Sequence, residues 1–175
     1  MVNVFICEDD FDYRSRIKKC VENYISMENL AMPIVCDTGN PTDILEYIKQ
    51  NEKKSGLYFL DLDLGCDITG IQLAEKIRRY DPFGCIVFIT ADGNAYKLTF
   101  EHSLEAMGYI VKGDFDLGER ICRCILNAHA KLMASSPATN DKFVFKLAKD
   151  IKSSSIFAKN STLLVFNKIC ERGQV

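Results

Sequence analysis

No apolar run in this 175-residue chain approaches the length of a membrane-spanning helix. The opening residues, Met-Val-Asn-Val-Phe-Ile-Cys, run straight into acids and lack the basic start and small-residue cleavage site of a secretory signal. The expected location is therefore the cytoplasm. Histidine is scarce: His102 and His129 are the two in the chain, and neither has a metal-ligand partner at useful spacing, so both read as surface or boundary residues. Cysteine is not scarce, with eight, yet no spacing among them matches a zinc site. Cys7, Cys36 and Cys85 lie in or beside apolar strands, Cys20, Cys122 and Cys124 lie in helical patterns, and Cys66 and Cys170 stand alone. The expected state is reduced thiols, mostly small core hydrophobes, with a redox role as the alternative. Strong net charge is also lacking, at −2, but the balance is uneven. Residues 1–140 carry 15 Lys+Arg against 21 Asp+Glu, and residues 141–175 carry 7 against 3. An acidic body with a basic tail hints at an anionic partner for the tail; solvated lysines are the simpler explanation.

What is present is an alternation of strand and helix patterns, repeated five times. Apolar runs at 2–7, 34–36, 57–60, 85–89 and 109–111 read as strands. Between them Tyr13, Ile17, Cys20, Val21 and Tyr24 mark one helical face. Pro41 opens a helix carrying Ile44, Leu45 and Ile48. Gly70 precedes a helix with Leu73, Ala74 and Ile77 that stops before Pro82. A weaker helix is expected over 96–104, and a clear one follows with Leu117, Ile121, Cys124, Ile125, Ala128 and Leu132 on one stripe. This spacing predicts an α/β fold: a doubly wound, flavodoxin-like (βα)5 domain with a parallel sheet. Strand order 2-1-3-4-5 is expected because strands 1, 3 and 4 are the most apolar. Ligands of such sheets sit at the carboxyl ends, near the switch in strand order. Residues 1–133 form the expected domain. The polar stretch 134–141 reads as a linker. In 142–175, Phe143, Phe145 and Leu147 alternate as in a strand and Leu163 to Phe166 form a second short apolar run, too little for a robust core of its own.

Chemistry-bearing residues stand where the strands end. Glu8, Asp9 and Asp10 follow the first strand, Asp61 the third with Asp63 two residues on, Thr90 closes the fourth, and Lys112 follows the fifth. Crowded acids raise one another's pKa or require a cation. A hard divalent ion with oxygen ligands resolves this, and magnesium keeps waters and phosphate oxygens beside one or two carboxylates. Asp9 and Asp61 are the expected direct ligands, with Glu8 acting through water and Asp63 through its backbone carbonyl. Asp61, the lone acid closing a buried strand, is the expected nucleophile, since carboxylates form acyl phosphates. Lys112 would bring a cation to one phosphoryl oxygen and Thr90 a hydroxyl to another.

On these residues the first 130 or so positions resemble the receiver domain of two-component response regulators. Tyr58-Phe59-Leu60-Asp61, Asp67-Ile68-Thr69-Gly70-Ile71-Gln72-Leu73, Ile77-Arg78, Asp81-Pro82 and Phe88-Ile89-Thr90 resemble the accessory gene regulator A group, the LytTR-type quorum-sensing regulators of Gram-positive bacteria. The resemblance implies a phosphoacceptor at Asp61, switch residues at Thr90 and Tyr109, and a membrane histidine kinase as phosphodonor. It also implies dimerisation through the fourth helix, fifth strand and last helix, and a role in transcriptional control rather than as an enzyme. The sequence departs from the pattern twice. Gly113 follows Lys112 where many receivers have proline, so a different local loop is expected. The family continues into a β-rich DNA-binding domain, of which residues 143–147 resemble the opening strand and the remainder of 142–175 is read as a truncated remnant; no DNA-binding residue is assigned.

Two other readings compete. A receiver fragment without output would act as a phosphorylation sink or a dimerisation decoy. Separately, Asp61-Leu62-Asp63 resembles the Asp-x-Asp nucleophile motif of haloacid-dehalogenase-type phosphohydrolases, in which the second aspartate is the acid/base. There the motif sits on the first core strand, whereas here it follows two earlier elements.

Overall fold

A computed structural model of the chain describes residues 1–51, 55–91, 93 and 104–135. Within them lie β1 (Asn3–Cys7), α1 (Phe11–Met27), β2 (Ile34–Thr38), α2 (Pro41–Gln50), β3 (Gly56–Leu60), α3 (Gly70–Tyr80), β4 (Cys85–Thr90), β5 (Gly108–Val111) and α4 (Leu117–Ser135). Residues Met1–Met133 form one compact unit. The five strands make one parallel sheet in the order β2-β1-β3-β4-β5, as the alternation predicts. The strand order reverses at β1, which has β2 on one side and β3 on the other.

Each strand presents successive side chains to opposite faces, so a sheet covered on both sides needs continuous apolar runs. Val4 and Ile6, Leu57 and Phe59, Val87 and Ile89, and Ile110 point to one face. There they meet Ile17 and Val21 of α1 and Leu117, Ile121, Ile125, Ala128 and Leu132 of α4. Phe5 and Cys7, Tyr58 and Leu60, and Ile86 and Phe88 point to the other face. They pack on Ile44, Leu45 and Ile48 of α2 and on Leu73, Ala74 and Ile77 of α3. β1, β3 and β4 are buried at every position, whereas β2 is half-buried throughout, as befits an edge strand.

Local signals fix the helix starts. Asp10 caps α1 by accepting from the Asp12 and Tyr13 N–H groups at 2.8 and 3.0 Å. Asn40 caps α2 ahead of Pro41. Thr69 and Gln72 form a capping box on α3. Gly70 is thus the first residue of α3 rather than the residue before it. There is no room for a Cβ between it and the Asp61 carbonyl. α4 extends through Ala134 and Ser135, the first two residues of the polar stretch read as a linker. The helix expected over 96–104 lies outside the described residues apart from Leu104, which is not helical. Phe100, His102, Cys170 and all of 136–175 also lie outside them. The described cysteines are free thiols. Burial pushes Cys7 up to about 12 and Cys36 to about 11, which suits small core hydrophobes.

Candidate functional site

β1 and β3 are neighbours in register, with Cys7 opposite Leu60, so the residues that follow them emerge side by side. The Asp61 N–H donates to the Cys7 carbonyl at 2.9 Å, extending the ladder by one residue and fixing where Asp61 departs. Glu8, Asp9 and Asp61 each offer a carboxylate oxygen, and the three oxygens lie within 4.8 Å of one another. Glu8 and Asp61 are buried and Asp9 is exposed, so the cluster opens to solvent on the Asp9 side. Asp10 is not part of it. Capping α1 occupies its carboxylate, and the Tyr13 N–H holds its pKa below the ordinary range.

Lys112 reaches the cluster from β5. Its N–H donates to the Thr90 carbonyl at 2.7 Å, which continues the β4–β5 pairing past Val111. Its Nζ donates to Glu8 Oε1 and Asp61 Oδ2, each at 2.7 Å, and all three side chains are almost wholly buried. Burial alone would lower this lysine's pKa, but the hydrogen bonds and charges of Asp61 and Glu8 outweigh it, and its pKa sits above the ordinary lysine value. For Glu8 the balance falls the other way. Burial raises its pKa, the Lys112 hydrogen bond opposes, the Asp61 charge adds to the rise, and the result is about 7.

One ammonium therefore serves two buried carboxylates and leaves acceptors over. Glu8 Oε2 is buried with no hydrogen-bond partner. Among the described residues, Asp61 Oδ1 accepts a single long bond, from the Asp63 N–H at 3.4 Å. A buried, unpartnered carboxylate oxygen is costly unless a cation or donor completes it. An all-oxygen donor set with an orphan oxygen and an open side fits a hard divalent cation with waters in its remaining positions. Gly65 accommodates the crowding: its φ is +59°, and a Cβ there would stand 2.8 Å from Asp9 Oδ2.

Of the residues singled out from sequence, the fold brings Glu8, Asp9, Asp61 and Lys112 into direct juxtaposition. Thr90 is buried at the end of β4, beside Lys112 through its carbonyl. Asp63 is exposed; its N–H faces Asp61, and its Oδ1 accepts from the Gly65 N–H at 3.4 Å. Tyr109 lies on β5 and packs against the α2–α3 side of the core. The loop after Lys112 differs from a proline-containing one as expected. No peptide bond is cis among the described residues, and Gly113 adopts φ +90°, a conformation glycine enters freely. Sequence reasoning missed Tyr13. It was placed only on the packed face of α1, yet its ring centre lies 5.0 Å from Lys112 Nζ.

Comparison with known proteins decides the family. The model of the response regulator receiver domain matches residues 4–120. Accessory gene regulator protein A of Staphylococcus aureus strain N315 is 36% identical over 166 residues, which is 94% of this chain and 68% of that protein. The chain belongs to the response regulator receiver family, in the accessory gene regulator A group. It is a two-component regulator. The phosphohydrolase alternative gives way to this membership. Because the alignment covers 94% of the chain, it also runs past α4 into residues 142–175, further than the resemblance of 143–147 alone. Among solved structures, the response regulatory domain of protein mrkE from Klebsiella pneumoniae superposes with a TM-score of 0.62 at 26% identity, covering 75% of this chain and 98% of that one. The response regulator TrrA from Thermotoga maritima, solved in complex with Mg2+-BeF, shares the fold with a TM-score of 0.52 at 20% identity, covering 71% and 99%.

Proposed function

We propose that this protein receives a phosphoryl group on Asp61 from a sensor histidine kinase, with a divalent cation, Mg2+, held by Glu8, Asp9 and Asp61. The observation that carries the reading is the pair of buried carboxylates sharing one lysine while Glu8 Oε2 is left without a partner. Such an arrangement disfavours the empty state and rewards a ligand set of cation plus phosphoryl oxygens. TrrA, whose fold this chain shares, was solved with Mg2+ and a beryllofluoride, and that supports the choice of ion.

The chemistry follows from which oxygens are engaged. Asp61 Oδ2 is held by Lys112 at 2.7 Å and Oδ1 by the longer 3.4 Å bond from the Asp63 N–H, so Oδ1 is the less engaged oxygen and the one to attack phosphorus. A P–O bond forms to Asp61, the P–N bond to the donor imidazole breaks, and its electron pair leaves with the nitrogen. Bound Mg2+ would neutralise charge on the transferring group. Lys112 then turns from the carboxylate to a phosphoryl oxygen, and the Thr90 hydroxyl takes another. Asp63 would help hold the cation through its backbone carbonyl. The new charge biases the domain between two conformations, with Thr90 and Tyr109 as the moving parts. The protein acts as a regulator in quorum-sensing transcriptional control rather than as an enzyme. Residues 142–175 belong to its DNA-directed output region, joined through 134–141, and the fourth predicted helix, β5 and α4 form the dimer face. The shared alignment with accessory gene regulator A supports this assignment.

The test is incubation with radiolabelled acetyl phosphate and Mg2+, comparing the native chain with Asp61→Asn. Stoichiometric label on the native protein and none on the variant is the expected result. Undiminished labelling of Asp61→Asn would remove Asp61 from the role.

A further inference from the structure

The Lys112 ammonium has a third neighbour besides the two carboxylates. The Tyr13 ring centre is 5.0 Å from Nζ, inside the range in which a cation is attracted to an aromatic face. Tyr13 is the third residue of α1, and its place is fixed from both ends. Its N–H is tied to the Asp10 carboxylate at 3.0 Å, and the next residue, Arg14, bonds back to the Glu8 and Asp9 carbonyls. The helix start that positions Tyr13 is therefore anchored to Asp10 and to Glu8 and Asp9, two of the three residues whose carboxylates form the cluster. Tyr13 is half-buried. Arg16 also lies over it, 5.4 Å from the ring centre, so two cations draw on one aromatic system.

Resting on the reading that Asp61 accepts a phosphoryl group, we infer that Tyr13 is a positioning residue of that reaction. Its ring holds the Lys112 ammonium beside the acceptor and limits its access to water. The physical need is clear from the mechanism. Lys112 must exchange Asp61 Oδ2 for a phosphoryl oxygen without becoming solvated on the way. A long lysine side chain released from one of its two carboxylates has ample rotamer freedom to turn outward. A ring face attracts the ammonium but offers no hydrogen-bond acceptor for it to lodge on, so it retains the cation while leaving its N–H groups available. The hydroxyl of Tyr13 plays no part in this role.

The test separates ring face from bulk. Tyr13→Phe keeps the aromatic face, and Tyr13→Leu keeps apolar volume without it. Initial rates of labelling by radiolabelled acetyl phosphate with Mg2+ would be measured on the full chain for the native protein, both variants and Asp61→Asn, with thermal unfolding as a check of folding. Tyr13→Phe should label at the native rate. Tyr13→Leu should fall about two- to five-fold, the range expected for a partly exposed cation–π contact. If Tyr13→Leu labels as fast as Tyr13→Phe, the inference fails while the Asp61 reading stands. Equal losses in both variants would move the effect to the hydroxyl and likewise overturn it. If Asp61→Asn labels like the native chain, the underlying reading fails instead.

Discussion

β3 carries a buried carboxylate beyond each of its ends, and the two are partnered in opposite ways. At the amino end Asp81, the residue after α3, accepts from Ser55 Oγ at 3.0 Å, the Gly56 N–H at 2.8 Å and Tyr58 Oη at 3.0 Å. Three donors meet one carboxylate. At the carboxyl end Asp61 and Glu8 share one lysine, Glu8 Oε2 has no partner, and Glu8 is pushed up to about 7. Burial is similar at the two ends, with Asp81 7% exposed and Asp61 4%. The difference is hydrogen-bond saturation. A saturated buried acid ties elements together; an under-supplied one stores a demand for a ligand.

The largest expected effect comes from breaking the saturated end. Asp81→Ala leaves the Tyr58 hydroxyl buried without its acceptor and frees the start of β3. A loss of about 3–4 kcal/mol in urea unfolding is expected. Native-like stability would mean that the three bonds hold nothing.

The second effect sharpens the other end through pH, without added divalent ion. The folded pKa of Glu8 lies above its unfolded value of 4.5, at about 7. Its contribution to stability is therefore fully present below pH 4.5 and is lost as pH rises through about 7. Glu8→Gln should flatten that decline and raise stability at pH 8 by about 1–3 kcal/mol. Parallel pH–stability curves for native and variant chains would contradict the assignment.

A third expectation is that Mg2+ supplies what the site lacks. At ten times its Kd it should stabilise the native chain by about 1.4 kcal/mol. Asp9→Ala should blunt that gain, while the Asp81 cluster is indifferent to the ion. Thermal unfolding at graded Mg2+ measures both. The smallest effect concerns the loop after Lys112. Gly113→Ala meets no neighbour within 4 Å, so its cost is the backbone strain at φ +90° alone. About 1 kcal/mol is expected in the same unfolding assay.

The contrast between the two ends also marks what the sequence could and could not reveal. The central strands were legible because a sheet buried on both faces demands unbroken apolar runs, and Glu8, Asp61, Thr90 and Lys112 were legible because each follows or closes such a run. Sorting the acids was harder. Glu8-Asp9-Asp10 reads as one cluster, and only the start of α1 assigns Asp10 to capping. Asp81 drew notice only in the Asp81-Pro82 pair, because its donors lie 23 to 26 residues earlier and no local pattern links them. Tyr13 sits on a helical stripe where a core aromatic is the ordinary expectation, and its approach to Lys112 spans nearly the whole domain. β2 extends to Thr38, two residues beyond its apolar run, because its partnership with β1 continues where its apolar residues stop.

The most direct test of the contrast is to locate the modified residue chemically. The native chain would be treated with acetyl phosphate and Mg2+, reduced with borohydride so that an acyl phosphate becomes homoserine, digested and mapped by mass spectrometry. Homoserine at position 61, with Asp9, Asp63 and Asp81 unchanged, is the predicted result. Homoserine at another acid, or none at all, would contradict the claim that the under-supplied end of β3 is the phosphoryl acceptor.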